Sequence, residues 1–496
     1  MAKTRSQTKA SASIVKLSPE ILRLIFRYFC SHCCGDYQWP FGPKPGHQPA
    51  QDNNTLFNLC LVSQYFRNTA QEILYHSFDP GNQEVDLCRG RVESFLETVA
   101  ARSDLARSVK AVFIQVNLIA ALDFGESSRV FDLCARSLGT SAREIYQKDQ
   151  ALEESRRSDY QRARRAFLLG EPLPRYVSER HCMSTMASEL LAILVSVLPS
   201  LVHLGVAEDY TRWHRWQFGA SGQTLDALGI RSLPLKTLES DSSQYQLTTR
   251  SPELETLVTL GKGWGFTDMP SVRNLHLRSK AAMRSGEISD CLKACNGTLS
   301  TFSYTAVDNG ISYVIQCLDQ ERLHQSLESL HLDLDHIPHE PEEQIPTLKE
   351  FTKLKTLFLR ASDIYKTNLG AYSGRFNNES FVEILPPNIT SLTLVAFPKG
   401  RQPNDLKADL LRLLDVKSTL FRQLKLIQTD SYEVFGDELM VFSRLVGVEL
   451  IHQELQRNCR SCTGQIRLTG NVDRYNSSIV LGQPLPHDMS DWDSDL

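Results

Sequence analysis

The sequence lacks a strong charge of either sign: 54 Lys and Arg stand against 58 Asp and Glu, a formal net charge of −4. Such a balance offers no global field to a polyanion or a lipid surface, so neither nucleic acid nor membrane is expected as a partner. A secretory-type leader is missing too, because MAKTRSQTKASAS runs into no apolar core segment. There is no cysteine framework. The 12 cysteines are irregularly spaced and read as reduced, buried thiols of a cytoplasmic or nuclear protein. Asn296-Gly-Thr298 and Asn388-Ile-Thr390 are then chance matches to a glycosylation motif. Long apolar runs are scarce. LLAILVSVLPSLVHLGVA (190–207) nears spanning length, but Pro199 interrupts it and His203 follows. It reads as a buried helix running into a strand.

Signatures of catalysis are scarce as well. No G-x-S-x-G nucleophile elbow occurs. GKGWGF (261–266) has glycines without phosphate-loop spacing and reads as a turn. His336-Ile-Pro-His339-Glu340 cannot present two imidazoles from one helix, because Pro338 would break it. Zinc needs four ligands brought together. Its candidates here, Cys30-Ser-His-Cys33-Cys34 and Cys459-Arg-Ser-Cys462, lie more than 400 residues apart, the first beside an apolar helix end. Both read as ordinary thiols. No catalytic residue, metal or cofactor is expected, and the chain is expected not to be an enzyme.

What the sequence does have begins at KLSPEILRLIFRYF (16–29). Ser18 can cap a helix and Pro19 suits its first position, where a missing N–H costs nothing. Ile21, Leu22, Ile25, Phe26 and Phe29 form a broad apolar stripe. SHCCGDYQWPFGPKPGHQPAQDNN reads as a loop. Helical pattern resumes with Thr55 as cap, and Ser63 can cap a third helix bearing Phe66, Ala70, Ile73 and Leu74. Three such short helices carry more apolar surface than they can hide among themselves. The remainder faces the rest of this chain or another protein.

Leu17-Ser-Pro-Glu-Ile-Leu, Ile25-Phe26, Leu59-Cys-Leu-Val-Ser63 and Phe66-Arg67, ending in LYHSF, resemble an F-box. The resemblance spans 14–80 and is interrupted by an insertion at about 31–54, where a tighter connection is usual. It implies docking onto the Skp adaptor, and through it a cullin–RING ligase. By position, the implied contacts are Leu17, Pro19, Ile21, Leu22, Ile25, Leu59, Val62 and Phe66. The other reading is that these helices only cap the domain behind them.

Further on, a short leucine pattern recurs: LVHLGV (201–206), LKTLES (235–240), LETLVT (254–259), VRNLHL (272–277), LSTFSY (299–304), LESLHL (327–332), LKTLFL (354–359), ITSLTL (389–394), FRQLKL (421–426) and LVGVEL (445–450), after V109-x-x-V112-x-I114. The spacings straddle the 20–29-residue leucine-rich-repeat period, with insertions. In each piece the fourth and sixth residues share one face of a short strand. One unit cannot bury that face alone, whereas stacked units can. The expected fold is α/β: a three-helix module, then an irregular leucine-rich-repeat-like horseshoe of short parallel strands and helices. Against this stands an unrelated α/β domain whose strands happen to contain leucines.

The expected organisation is a basic tail at 1–13, the module at 14–80 and a linker helix with a first repeat at 81–120. A polar helical insertion follows at 121–188, the repeat domain at 189–455, and a cap with an acidic tail at 456–496. Within the insertion, Arg162-Ala-Arg-Arg reads as a solvated helix face rather than a nuclear-import or acidic-partner patch. Strand positions alternating with the core leucines include His276, Arg278, His331, Asp333, Phe358, Arg360 and Lys425. They are the expected contacts to an unidentified protein target. The resemblance thus implies the substrate-recognition subunit of an SCF-type ubiquitin ligase, of a kind abundant in filamentous fungi. A repeat scaffold or ligand-binding protein without a ubiquitin role is the alternative.

Overall fold

The computed structural model describes residues 17–34, 37–38, 42–43, 49–80, 85–115, 122–150, 159–172, 177–207, 219–240, 244–259, 268–278, 285–295, 299–306, 311–334, 347–368, 371–375, 381–395, 404–429 and 435–452. Both tails, GKGWGF and the His336–Glu340 stretch lie outside the described residues, as do Cys459 and Cys462.

A residue repeated at one register position builds the fold. Val112, Leu204, Leu238, Leu257, Leu275, Phe302, Leu330, Leu357, Leu392 and Ile427 sit side by side on adjacent strands. Every one of them is 0% exposed. The residue two further on shares that face: Ile114, Val206, Leu277, Tyr304, Leu332, Leu359 and Leu394 are buried in the same core. Stacking removes from water a face that no single unit could cover.

The strands are Ser77–Phe78, Ala111–Gln115, His203–Ala207, Thr237–Ser240, Thr256–Thr259, Asn274–Arg278, Thr301–Ala306, Ser329–Leu334, Thr356–Arg360, Ser391–Val395, Leu426–Thr429 and Glu449–His452. They make one twelve-stranded parallel sheet whose order across the sheet follows the order along the chain. Each connection therefore crosses over to the adjacent strand, the local winding expected of a solenoid-like α/β fold. The residue before each strand stitches two units. The Lys236 carbonyl accepts from Glu255 N and Thr256 N, both at 2.9 Å, and the Lys355 carbonyl accepts from Thr390 N and Ser391 N.

Two strand pieces lie in a different frame from the one their leucines suggest. In FRQLKL the residue on the core ladder is Ile427, not Leu424, and in LVGVEL it is Leu450, not Val448. Leu424 and Val448 are buried just ahead of their strands, so apolar residues three or two apart satisfied the pattern in the wrong register. Lys425 consequently precedes its strand and is exposed. Its carbonyl accepts from Glu449 N at 2.8 Å.

The polar insertion is not a solvated excursion. Helices Phe124–Ser137, Ala142–Gln150 and Asp159–Leu169 send Phe131, Cys134, Ile145 and Phe167 into the main core. They pack with helix Glu179–Val197, whose Leu190–Val195 stretch is buried on every side. Arg164 is buried with Glu189, Nε to Oε1 2.6 Å. Arg162 and Arg165 face solvent and pair with Asp159 and Glu171. The three arginines therefore do not make one basic patch. No helix among the described residues is long and apolar enough to cross a membrane.

Candidate docking face

The N-terminal module contains α1 (Pro19–Arg27), α2 (Ser31–Cys34), α3 (Pro49–Val62) and α4 (Gln64–Leu74). α1 has Ser18 in extended conformation at its N-cap and Pro19 at its first position. The Ser63 hydroxyl accepts from Phe66 N at 3.2 Å and so starts α4. α3 begins at Pro49 rather than at Thr55, because Pro49 can open a helix as Pro19 does. The stretch read as a loop also holds α2 and a short antiparallel pair, Tyr37–Gln38 with Gly42–Pro43.

These helices close a core of their own from Leu22, Phe26, Cys30, Leu56, Cys60, Phe66, Ala70 and Ile73. Phe26 meets Phe66 edge-on at 5.8 Å between centroids. Tyr65 donates its hydroxyl proton to the Leu17 carbonyl at 2.6 Å, fixing the entry to α1. Leu22 and Phe66 are thus internal side chains rather than outward contacts. Leu17, Ile25 and Leu59 are half-buried at the edge of this core, and Pro19, Ile21 and Val62 are exposed.

Other apolar side chains project beside them. Ile21 and Leu24 on α1 and Tyr28 at its C-cap recur at three- and four-residue steps, and Phe57 and Leu61 at four on α3, with Val62 next. Their exposure runs from 43% for Ile21 to 76% for Tyr28. Leu24, Tyr28, Phe57 and Leu61 stand outside both the implied contacts and the apolar stripe of the sequence, and only the packing of the helices shows that they face outward. The repeats do not cover these residues.

α4 runs directly into the sheet. The His76 carbonyl accepts from Lys110 N at 2.8 Å and Ala111 N at 2.9 Å, and Ser77–Phe78 pairs with Ala111–Val112. The cleft at this junction is lined by Leu74, Tyr75, Phe78 and Phe95, with Asp79 and Arg91 as its charged members.

The strand residues expected to meet a target do not form a solvent-facing set. His276, His331, Asp333 and Phe358 are buried. His331 stacks on Phe358 with centroids 3.7 Å apart, and Arg360 donates to Asp333. The physical reason is pairing between adjacent strands: parallel register sets these residues side by side on one face, where neighbouring side chains cover one another. Arg278 lies in its strand opposite Thr305; its side chain is outside the described residues. On the same face the His203 Nε2 and Glu239 Oε1 atoms are 2.5 Å apart and buried.

The module also brings His76 up to the Cys30-Ser-His-Cys33 stretch. Cys30, His32, Cys33 and His76 place one ligand atom each within 4.8 Å of one another. His76 Nδ1 lies 3.2 Å from Cys33 Sγ and 3.9 Å from Cys30 Sγ, and His32 Nδ1 is 3.9 Å from Cys33 Sγ. Hydrogen bonding with Cys33 and burial push the Cys30 thiol up. The hydrogen bond from Cys30, helped by the Arg27 guanidinium, holds Cys33 below the usual thiol range. The fourth member, His76, gave no local signal in the sequence because it lies 43 residues beyond Cys33. Compared with known proteins, the chain matches no family model and no curated protein.

Proposed function

We propose that the chain is the substrate-recognition subunit of an SCF-type ubiquitin ligase, with 14–80 as its F-box and the stacked units as a leucine-rich-repeat-like horseshoe that holds a protein target. One observation carries the reading. A helical module whose own core is closed still leaves Ile21, Leu24, Tyr28, Phe57, Leu61 and Val62 in water. Apolar helix faces of this kind suit burial by a second protein. The Skp adaptor is the partner that the F-box-like motif implies. The mechanism is positional: the module fixes the chain to the ligase and the array presents the target, so effective concentration replaces catalysis by this chain. The junction cleft offers no converging set of titratable groups that would suggest chemistry of its own.

Co-expression of the full chain with the Skp adaptor tests this. The wild-type chain is expected to co-purify with the adaptor, and Ile21→Glu with Leu61→Glu to lose it while remaining folded. Failure of the wild-type chain to retain the adaptor would leave the scaffold reading. That second reading has an observation in its favour, since Ser77–Phe78 makes the module the first layer of the sheet.

A further inference from the structure

We infer that Cys30, His32, Cys33 and His76 form a zinc site that fastens the helical module to the first layer of the sheet. Three ligands come from one helical turn. The chain leaves α1 through Cys30, whose N–H bonds to the Arg27 carbonyl at 3.1 Å, and the Cys34 N–H then bonds back to the Cys30 carbonyl at 3.0 Å. That turn sets Cys30 and Cys33 on one side, three residues apart. The fourth ligand arrives from the far end of α4, where His76 N bonds to the Ile73 carbonyl at 3.1 Å.

The donor set is two sulfurs and two imidazoles, a combination that suits tetrahedral zinc. Bonds of about 2.3 Å to sulfur and about 2.0 Å to nitrogen give ligand–ligand edges of roughly 3.3–3.8 Å in a tetrahedron. The observed separations of 3.2, 3.9 and 3.9 Å bracket that range. Cys30 and His76 are buried while His32 and Cys33 are partly open, so an ion has a path in. Cys34 is not a member. Its thiol turns to the Arg27 and Tyr28 carbonyls at 3.5 Å.

Binding replaces two thiol protons by one divalent ion, leaving a neutral centre and releasing both protons to solvent. Its place gives it meaning. The residue that would bind the metal through its side chain also accepts two backbone hydrogen bonds from the sheet through its carbonyl. Zinc would therefore tie the end of α1 to the sheet's first layer and set the angle of the exposed apolar residues to the array. The site itself does not depend on what those residues dock against.

The test uses the full chain, reduced, stripped with a chelator and titrated with cobalt(II) alone. Expected are intense visible absorption of tetrahedral cobalt and a near-ultraviolet thiolate band. Both should saturate at about one ion per chain and be bleached by zinc(II), with release of about two protons per chain. Cys33→Ser and His76→Gln should each abolish the visible band, and Cys34→Ser should keep it. Absence of the band in the reduced wild-type chain would overturn the proposal, whatever the variants do. So would a band that survives Cys33→Ser, or a Cys30–Cys33 disulfide with no metal uptake after reduction.

Discussion

Arg360 on one strand donates its Nε–H to the Asp333 carboxylate on the neighbouring strand, and neither is free to meet a partner protein: their side chains are 13% and 3% exposed. The pair spans two stacked units, so it belongs to the cohesion of the array. Removing Asp333 alone would leave a guanidinium in a poorly hydrated place. Asp333→Ala is expected to cost about 3 kcal/mol, as for other broken buried pairs. Replacing both, with Asp333→Leu and Arg360→Met, should cost clearly less than the two single changes added together. Urea unfolding of the wild-type chain, Asp333→Leu, Arg360→Met and the double variant measures the cycle; additive losses would mean that the pair is not coupled.

The register ladder predicts where a truncated leucine hurts most. Leu330 is fully buried between Phe302 and Leu357, in the middle of the sheet. Leu450 holds the equivalent position on the last strand but is only partly buried. Leu330→Ala should therefore cost about 2–5 kcal/mol. Leu450→Ala should cost about 1 kcal/mol, with fewer atoms taken out of contact. Circular dichroism during urea unfolding decides; equal losses would contradict a stacked core with a loosely covered end.

Most of this ladder was legible beforehand, because strand units repeat their own leucines and period-two patterning tells which side is covered. Its frame was not legible where apolar residues crowd. Leu424 and Ile427 are both buried, and only backbone pairing chooses between them. The insertion differs from its expectation for a related reason. Charge along Asp159–Leu169 suggested solvent, yet Arg164 sits inside against Glu189 and Thr224, a partnership made across the fold. The strand-face residues carried the assumption that whatever is not core is surface. His331 stacked on Phe358 shows how side chains on adjacent strands cover one another. The Cys30–His76 grouping depends wholly on how α4 folds back past α1.

Burial of Cys134 sets an alkaline limit on stability. Removal from water, with Glu97 nearby, pushes its thiol from an ordinary 9.0 up to about 12. Above pH 9 the unfolded chain gives up this proton while the folded chain keeps it, so the unfolded state binds fewer protons and stability falls as pH rises. The contribution is whole below pH 9 and is lost progressively up to about pH 12. One such thiol changes the slope by at most about 1.4 kcal/mol per pH unit. Urea midpoints from pH 8 to pH 11 should therefore fall more steeply for the wild-type chain than for Cys134→Ala; parallel curves would show that the thiol is equally hydrated in both states.

Docking and folding should come apart within the module. Leu61 and Leu24 project from α3 and α1 into water, so replacing either by Glu removes no internal packing. Each should change stability by less than about 0.5 kcal/mol and weaken adaptor retention sharply, because a carboxylate would be buried unpaired in the complex. Leu22 and Phe66 are the opposite case. They fill the module's core beside Phe26, and Leu22→Ala should cost about 2–5 kcal/mol of module stability. It should lose the adaptor only to the extent that the module unfolds. Measuring both quantities on the same four proteins separates a surface built for a partner from helices that merely close the end of a sheet. If Leu61→Glu and Leu24→Glu retain the adaptor as the wild-type chain does, the apolar stripes are not where it binds.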